Sequence, residues 1–112
     1  MLSWSSTESG NPADLSAVVD GTGDAGLPHG AELVAFAEAI ARWDAKELAA
    51  ARDALVTVAG EAFMVDAAAV AANFEMMTRV ADGTGARFPD EAAARRADLD
   101  ARLGIGGFTS HR

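Results

Sequence analysis

Few side chains in this 112-residue sequence have the chemistry to bind or transform a ligand. His29 and His111 are its two histidines, so no multi-histidine metal centre can be assembled within one chain. The absence of cysteine removes thiolate nucleophiles, CxxC redox pairs and cysteine-bound zinc together. Neither a metal nor a cofactor is expected. His29 stands three residues before Glu32 where a helix is predicted to start. That spacing could serve an acid/base pair, though the simpler reading is a polar residue near a helix N-terminus. His111, next to the last residue, is expected to be mobile.

The stretch "VAANFEMMTRVADGTG", residues 70 to 85, holds the other two candidates. Asn73 projects toward an apolar face, where an unpaired amide would cost about 1–3 kcal/mol; it must bond a neighbouring helix or meet a ligand. Arg79 has Glu75 four residues before it and Asp82 three after. Two readings stay open for it: a surface ion pair worth a few tenths of a kcal/mol, or a guanidinium held ready to grip a carboxylate. Met76 and Met77 beside Phe74 read as core, not as a cofactor pocket.

"GTGDAG", residues 21 to 26, satisfies GxGxxG after the apolar run "LSAVV". The remainder of a dinucleotide site is missing. An aspartate stands where a pyrophosphate would approach, Leu27 to Gly30 separate the loop from the next helix, and no further strands follow. "DGTG" recurs at residues 82 to 85, which reads as a second use of the same loop chemistry.

These residues must be positioned by helices. Leu33, Phe36, Ala37, Ile40 and Trp43 form the apolar stripe of the first. Asp44 caps the second, with Glu47 at the third helical position, and Leu48, Ala51, Leu55 and Val58 or Ala59 line it up to Gly60. The third is predicted from Phe63 to Asp82 with Gly83 as its left-handed stop, and places Asp66, Val70, Asn73, Phe74, Met77, Val80 and Ala81 on one side. The fourth opens at Pro89, Asp90 and Glu91 and closes at Arg102 and Gly104, with a thin stripe of Ala92, Leu99 and Leu103. Residues 14 to 19, "DLSAVV", fit one helical turn or a short strand. The resulting expectation is an all-α fold in three parts: a flexible acidic segment over residues 1–27, a bundle of about four helices over 28–104, and a tail over 105–112 with Phe108 as its anchor.

Alanine occupies 27 positions, so helix propensity is high while the volume available per core position is small. A bundle of this size is best completed by self-association, and a homo-oligomer, first of all a dimer, is expected. The net charge is −8, of which −4 comes from Glu8, Asp14, Asp20 and Asp24 with no base among residues 1–30; 13 acids against 9 bases over the rest give the other −4. Such a balance, with basic residues scattered, argues against nucleic acid as a partner. No window approaches the roughly 18 apolar residues of a membrane span, and no basic, apolar leader opens the chain. A cytoplasmic location without membrane association is the expectation.

One longer pattern points to a family. "VDAAAVAANFEMMTRVADGTG", through Val65, Asp66, Asn73, Phe74, Arg79, Asp82 and Gly85, resembles the last core helix of the carboxymuconolactone decarboxylase-like superfamily, which includes the alkylhydroperoxidase D-like proteins. The preceding "LPHGAELVAFAEAIARWDAKELAAARDALVTVAGEAFM" is similar to the helical pair that leads into it, and "DLDARLGIGGFTSHR" to a tail found in some uncharacterised members. The resemblance implies an all-helical oligomer. It does not carry over peroxidase activity, which needs a CxxC pair that this chain lacks. It therefore implies a redox-inactive scaffold, accessory or binding protein, with a protein partner or a small organic acid as its ligand. The alternative is a cofactor-free lyase or isomerase acting on a small organic acid, with Arg79 as anion clamp and His29 or Glu32 moving the proton. A third reading, a partner-binding module built on the fourth helix and tail, rests on that helix's thin stripe.

Overall fold

The computed structural model describes residues 8–10, 12–20, 23–87 and 89–107, whose regular structure is all helical, with no strand among them. Backbone contacts divide the chain into two units, Met1–Ala72 and Asn73–Arg112. We number the helices α1 (Ser16–Asp20), α2 (Gly30–Arg42), α3 (Ala45–Ala59), α4 (Glu61–Thr84) and α5 (Asp90–Leu103); a 3-10 turn follows at Ile105–Gly107. Phe108 and His111 lie outside the described residues.

The first unit is organised around the α2–α3 hairpin. Two residues make the link, and each solves one end problem. Trp43 adopts a left-handed conformation at φ 58, ψ 33, which lets its N–H reach the carbonyls of Ala39 and Ile40 and close α2. Asp44 is extended, and its Oδ1 accepts from the N–H groups of Lys46 and Glu47, both at 2.9 Å, satisfying two donors that a helix N-terminus leaves without partners. Inside the hairpin, Phe36 and Ala39 of α2 and Leu55 of α3 are buried, and Leu55 is fully sealed from water. Leu48, Ala51 and Ala59 are half-buried along the same face of α3.

The buried face of α2 is rotated from the stripe expected of it. Ala39 takes the place of Ala37, which is exposed, and Trp43 is 83% exposed. The cause is local: Trp43 stands one residue past the helix in left-handed backbone, so its side chain leaves the helical register.

Before the hairpin, α1 and the glycine-rich loop fold back on each other. The Asp14 N–H donates to the Ala25 carbonyl at 2.9 Å, and Ala17 and Ala25 are buried. Leu27 N–H reaches Asp24 O and Gly30 N–H reaches Leu27 O, both at 3.0 Å, so consecutive turns deliver the chain into α2. Gly30 is required there, because a Cβ would overlap the Asp24 carbonyl group.

Gly60, at φ 89 and ψ 165, occupies backbone open essentially to glycine alone and separates α3 from α4. The long helix α4 runs through Gly83 to Thr84, and the left-handed stop is Gly85 at φ 69, two residues later than the sequence suggests. There the Ala86 N–H donates to Ala81 O at 2.9 Å and the Gly85 N–H to Asp82 O at 3.2 Å, the paired bonds of a Schellman ending. In the second unit, α5 is opened by Pro89, whose carbonyl accepts from Ala92 and Ala93, and is closed by Gly104 at φ 64. Its expected stripe is present, with Ala92, Leu99 and Leu103 half-buried beside the Arg96–Asp100 ion pair at 3.4 Å.

Two substitutions test this account. Leu55→Ala removes the best-sealed side chain and should lower the unfolding free energy by about 2–5 kcal/mol in urea denaturation followed by circular dichroism. Gly30→Ala should cost about 3 kcal/mol, since the backbone of the Asp24 turn must move to admit the methyl; an unchanged denaturation midpoint would show that the loop gives way freely.

Candidate functional site

The four residues singled out by their chemistry fall into two pairs, one in each unit. His29 immediately precedes α2 in left-handed backbone, φ 57 and ψ 22, and its side chain makes no capping hydrogen bond. Its ring meets Phe63 edge to face, with centroids 5.9 Å apart and planes at 71°. The imidazole remains exposed beside that aromatic ring, and Glu32 is half-buried in the first turn of α2. The described hydrogen bonds and ion pairs do not join the two. The packing accounts for His29 as an aromatic neighbour of α4's first turn.

In the second unit, Arg79 is held by Glu75. Its Nη2 lies 2.7 Å and its Nε 2.8 Å from the same carboxylate oxygen, Glu75 Oε1. The Arg79 side chain is 78% exposed, so this is an i, i+4 surface pair of small energetic weight. Asn73 is exposed as well. The expected penalty for burying its amide does not arise, because the apolar face it borders is itself open to water: Val70, Phe74, Met77 and Val80 are all exposed. Six residues apart on α4, Asn73 and Arg79 point about 120° away from each other around the helix axis and do not converge on one ligand.

The glycine-rich loop forms an open hollow of about 400 Å³ lined by Asp14, Ser16, Ala17, Asp20, Gly23, Asp24, Ala25 and Gly26. Three of its polar side chains, those of Asp14, Ser16 and Asp24, are engaged in building it. Asp14 Oδ1 accepts from the N–H and the hydroxyl of Ser16 at 3.0 and 2.7 Å, and Asp24 Oδ1 accepts from the Gly26 N–H at 2.9 Å. The Asp24 carboxylate therefore occupies a backbone donor that a phosphate-cradling loop would leave for its ligand. Among the described residues no group of three or more His, Asp or Glu side chains is placed to hold a metal ion, and no helix is long and apolar enough to cross a membrane.

No family model, curated protein or solved structure matches the chain.

What the candidate list missed is the character of α4. Not one of its 24 residues is buried. Phe63, Val65, Val70, Phe74, Met76, Met77 and Val80 leave between 39% and 58% of their surface open. The sequence marks Val70, Phe74 and Met77 as core, and periodicity is right that they share a face. It cannot say that the described residues leave that face unburied.

If the Arg79–Glu75 pair is only a surface pair, Arg79→Ala should change stability by no more than a few tenths of a kcal/mol in urea denaturation, with the difference fading at high salt. A loss of more than about 2 kcal/mol would assign Arg79 a structural or binding role that its exposure does not suggest.

Proposed function

We propose that this chain is a subunit of a small homo-oligomer, first of all a dimer, that works as a helical scaffold, accessory or binding protein and not as an enzyme. The carrying observation is α4, a 24-residue helix with no buried residue and seven exposed large apolar side chains. Leaving such a helix in water forfeits much of the apolar burial that a chain of this size needs for stability. The alanine-rich composition favours the same outcome, because small side chains permit close helix approach while limiting the core each chain can build alone.

This reading agrees with the resemblance of "VDAAAVAANFEMMTRVADGTG" to the carboxymuconolactone decarboxylase-like superfamily, taken as a cysteine-less, redox-inactive member. The acidic balance, −8 overall, fits a cytoplasmic protein whose partner is another protein or a small ligand, not nucleic acid or membrane. The lyase or isomerase alternative would need Arg79 free to take a substrate carboxylate and His29 or Glu32 aligned for proton transfer. Arg79 instead pairs with Glu75, His29 packs its ring against Phe63, and the described hydrogen bonds do not join His29 to Glu32.

Size-exclusion chromatography with light scattering decides the central claim. A mass of at least twice 11.5 kDa is expected at about 100 μM chain, a concentration at which micromolar association is saturated. A monomer at that concentration would overturn it.

A further inference from the structure

The exposed face of α4 has an order that names its own occupant. Phe63, Ala67, Val70, Phe74, Met77 and Ala81 follow one another at alternating intervals of four and three residues, the spacing of a two-helix seam. At 100° per residue they fall within about 40° on either side of one line along the helix. Four of the helix's charged residues, Glu61, Glu75, Arg79 and Asp82, lie about 100–160° around from that line, and only Asp66 flanks it. The four large members of the row leave 39% (Phe63), 57% (Val70), 48% (Phe74) and 43% (Met77) of their surface open. Together they make a patch of roughly 300–400 Å², comparable to the largest apolar patch of an ordinary monomer, and pairing two copies would bury about twice that, the size of a weak or transient interface.

We propose that this row packs against the same row of a second copy of the chain, antiparallel, with residues whose numbers add to 144 facing each other. The inference rests on the oligomeric reading above and gives it a surface, a direction and a register. Volume decides the direction. In the antiparallel register Phe63 faces Ala81, Ala67 faces Met77 and Val70 faces Phe74, so every layer sets a large side chain against a smaller one and the layers fill evenly. In a parallel pair each residue meets itself. Phe74 would then crowd Phe74 while Ala67 met Ala67 and Ala81 met Ala81, alternating overpacked layers with empty ones. The antiparallel choice also sets the two helix dipoles against each other. With Glu61, Glu75 and Asp82 away from the line, an acidic chain can pair here without placing those carboxylates in the seam.

The chain has no cysteine, so introduced cysteines report cleanly on the pairing. Chains carrying Ala67→Cys and chains carrying Met77→Cys are mixed under mild oxidation. The antiparallel register predicts that the mixture forms a disulfide-linked dimer while either variant alone does not, since only the mixed pair brings the two positions within bridging distance. Cross-linking of Ala67→Cys with itself would overturn the register, since it requires a parallel pair or an antiparallel pair of different register. Sedimentation equilibrium separates the seam from the oligomeric reading. Phe74→Glu should weaken self-association at least about tenfold, and Val65→Glu, at an equally exposed apolar position on the opposite side of α4, should leave it unchanged. Both positions are about half open to water, and circular dichroism confirms that each variant keeps its helix content. If the chain dimerises and Phe74→Glu does not weaken the dimer, the seam is wrong and the oligomer stands. If the unsubstituted chain is a monomer, both fall.

Discussion

A shortage of apolar volume is the constraint under which this structure is built. Among the described residues, Leu55 is the one large side chain from which water is fully excluded, and the other buried apolar residues are Phe36 and three alanines, Ala17, Ala25 and Ala39. Each alanine contributes about a methyl's worth of burial against the full backbone entropy of fixing its residue, a poor exchange that its high helix propensity only partly offsets. The α2–α3 hairpin meets the constraint by bringing two helices together through a two-residue link, so that one leucine and one phenylalanine can do the work of a larger core. Among the described residues, none of the long helix α4 is buried.

Where apolar packing is scarce, local hydrogen bonding takes a larger share of the ordering. Asp14, Asp24 and Asp44 each turn a carboxylate onto backbone N–H groups two or three residues ahead. These bonds convert what composition marks as loose, glycine-rich linker into defined turns. They also remove three acidic groups from the pool that could act on a ligand. The exposed threonines behave similarly: Thr57, Thr78 and Thr84 donate their hydroxyls to carbonyls four residues back along their own helices, at 2.7 to 3.0 Å. Polar atoms that look available in the sequence are thus spent within a turn of where they stand.

The sequence was most legible where a single residue type carries the information. Asp44 as a cap, Gly60 and Gly104 as helix ends and Pro89 at the opening of α5 are all visible by inspection, because each is nearly the only residue that fits its backbone role. It was less legible where a choice depends on neighbours. Gly83 and Gly85 are equivalent as letters, and only the paired carbonyls of Ala81 and Asp82 show which one turns left-handed. Trp43 continues the periodicity of α2 as a letter but stands beyond the helix as a residue. The largest gap concerns burial: Val70, Phe74 and Met77 share a face as their spacing says, yet a pattern that specifies a core cannot say whether that core belongs to one chain or to several. The same ambiguity covers Asn73, which looks costly if that face is inside and ordinary if it is open.

Met76 and Met77 stand side by side on α4 with 55% and 43% of their surface open to water. A buried methionine is shielded from oxidants; in the single chain these two are not. Conversion of the Met77 thioether to the sulfoxide would set a polar, stereogenic group into the middle of an otherwise apolar row, a change that methionine sulfoxide reductases can reverse. A chain with no cysteine is thereby still sensitive to peroxide, and the history of a preparation in air is written on α4 as a mass increase of one oxygen atom per methionine.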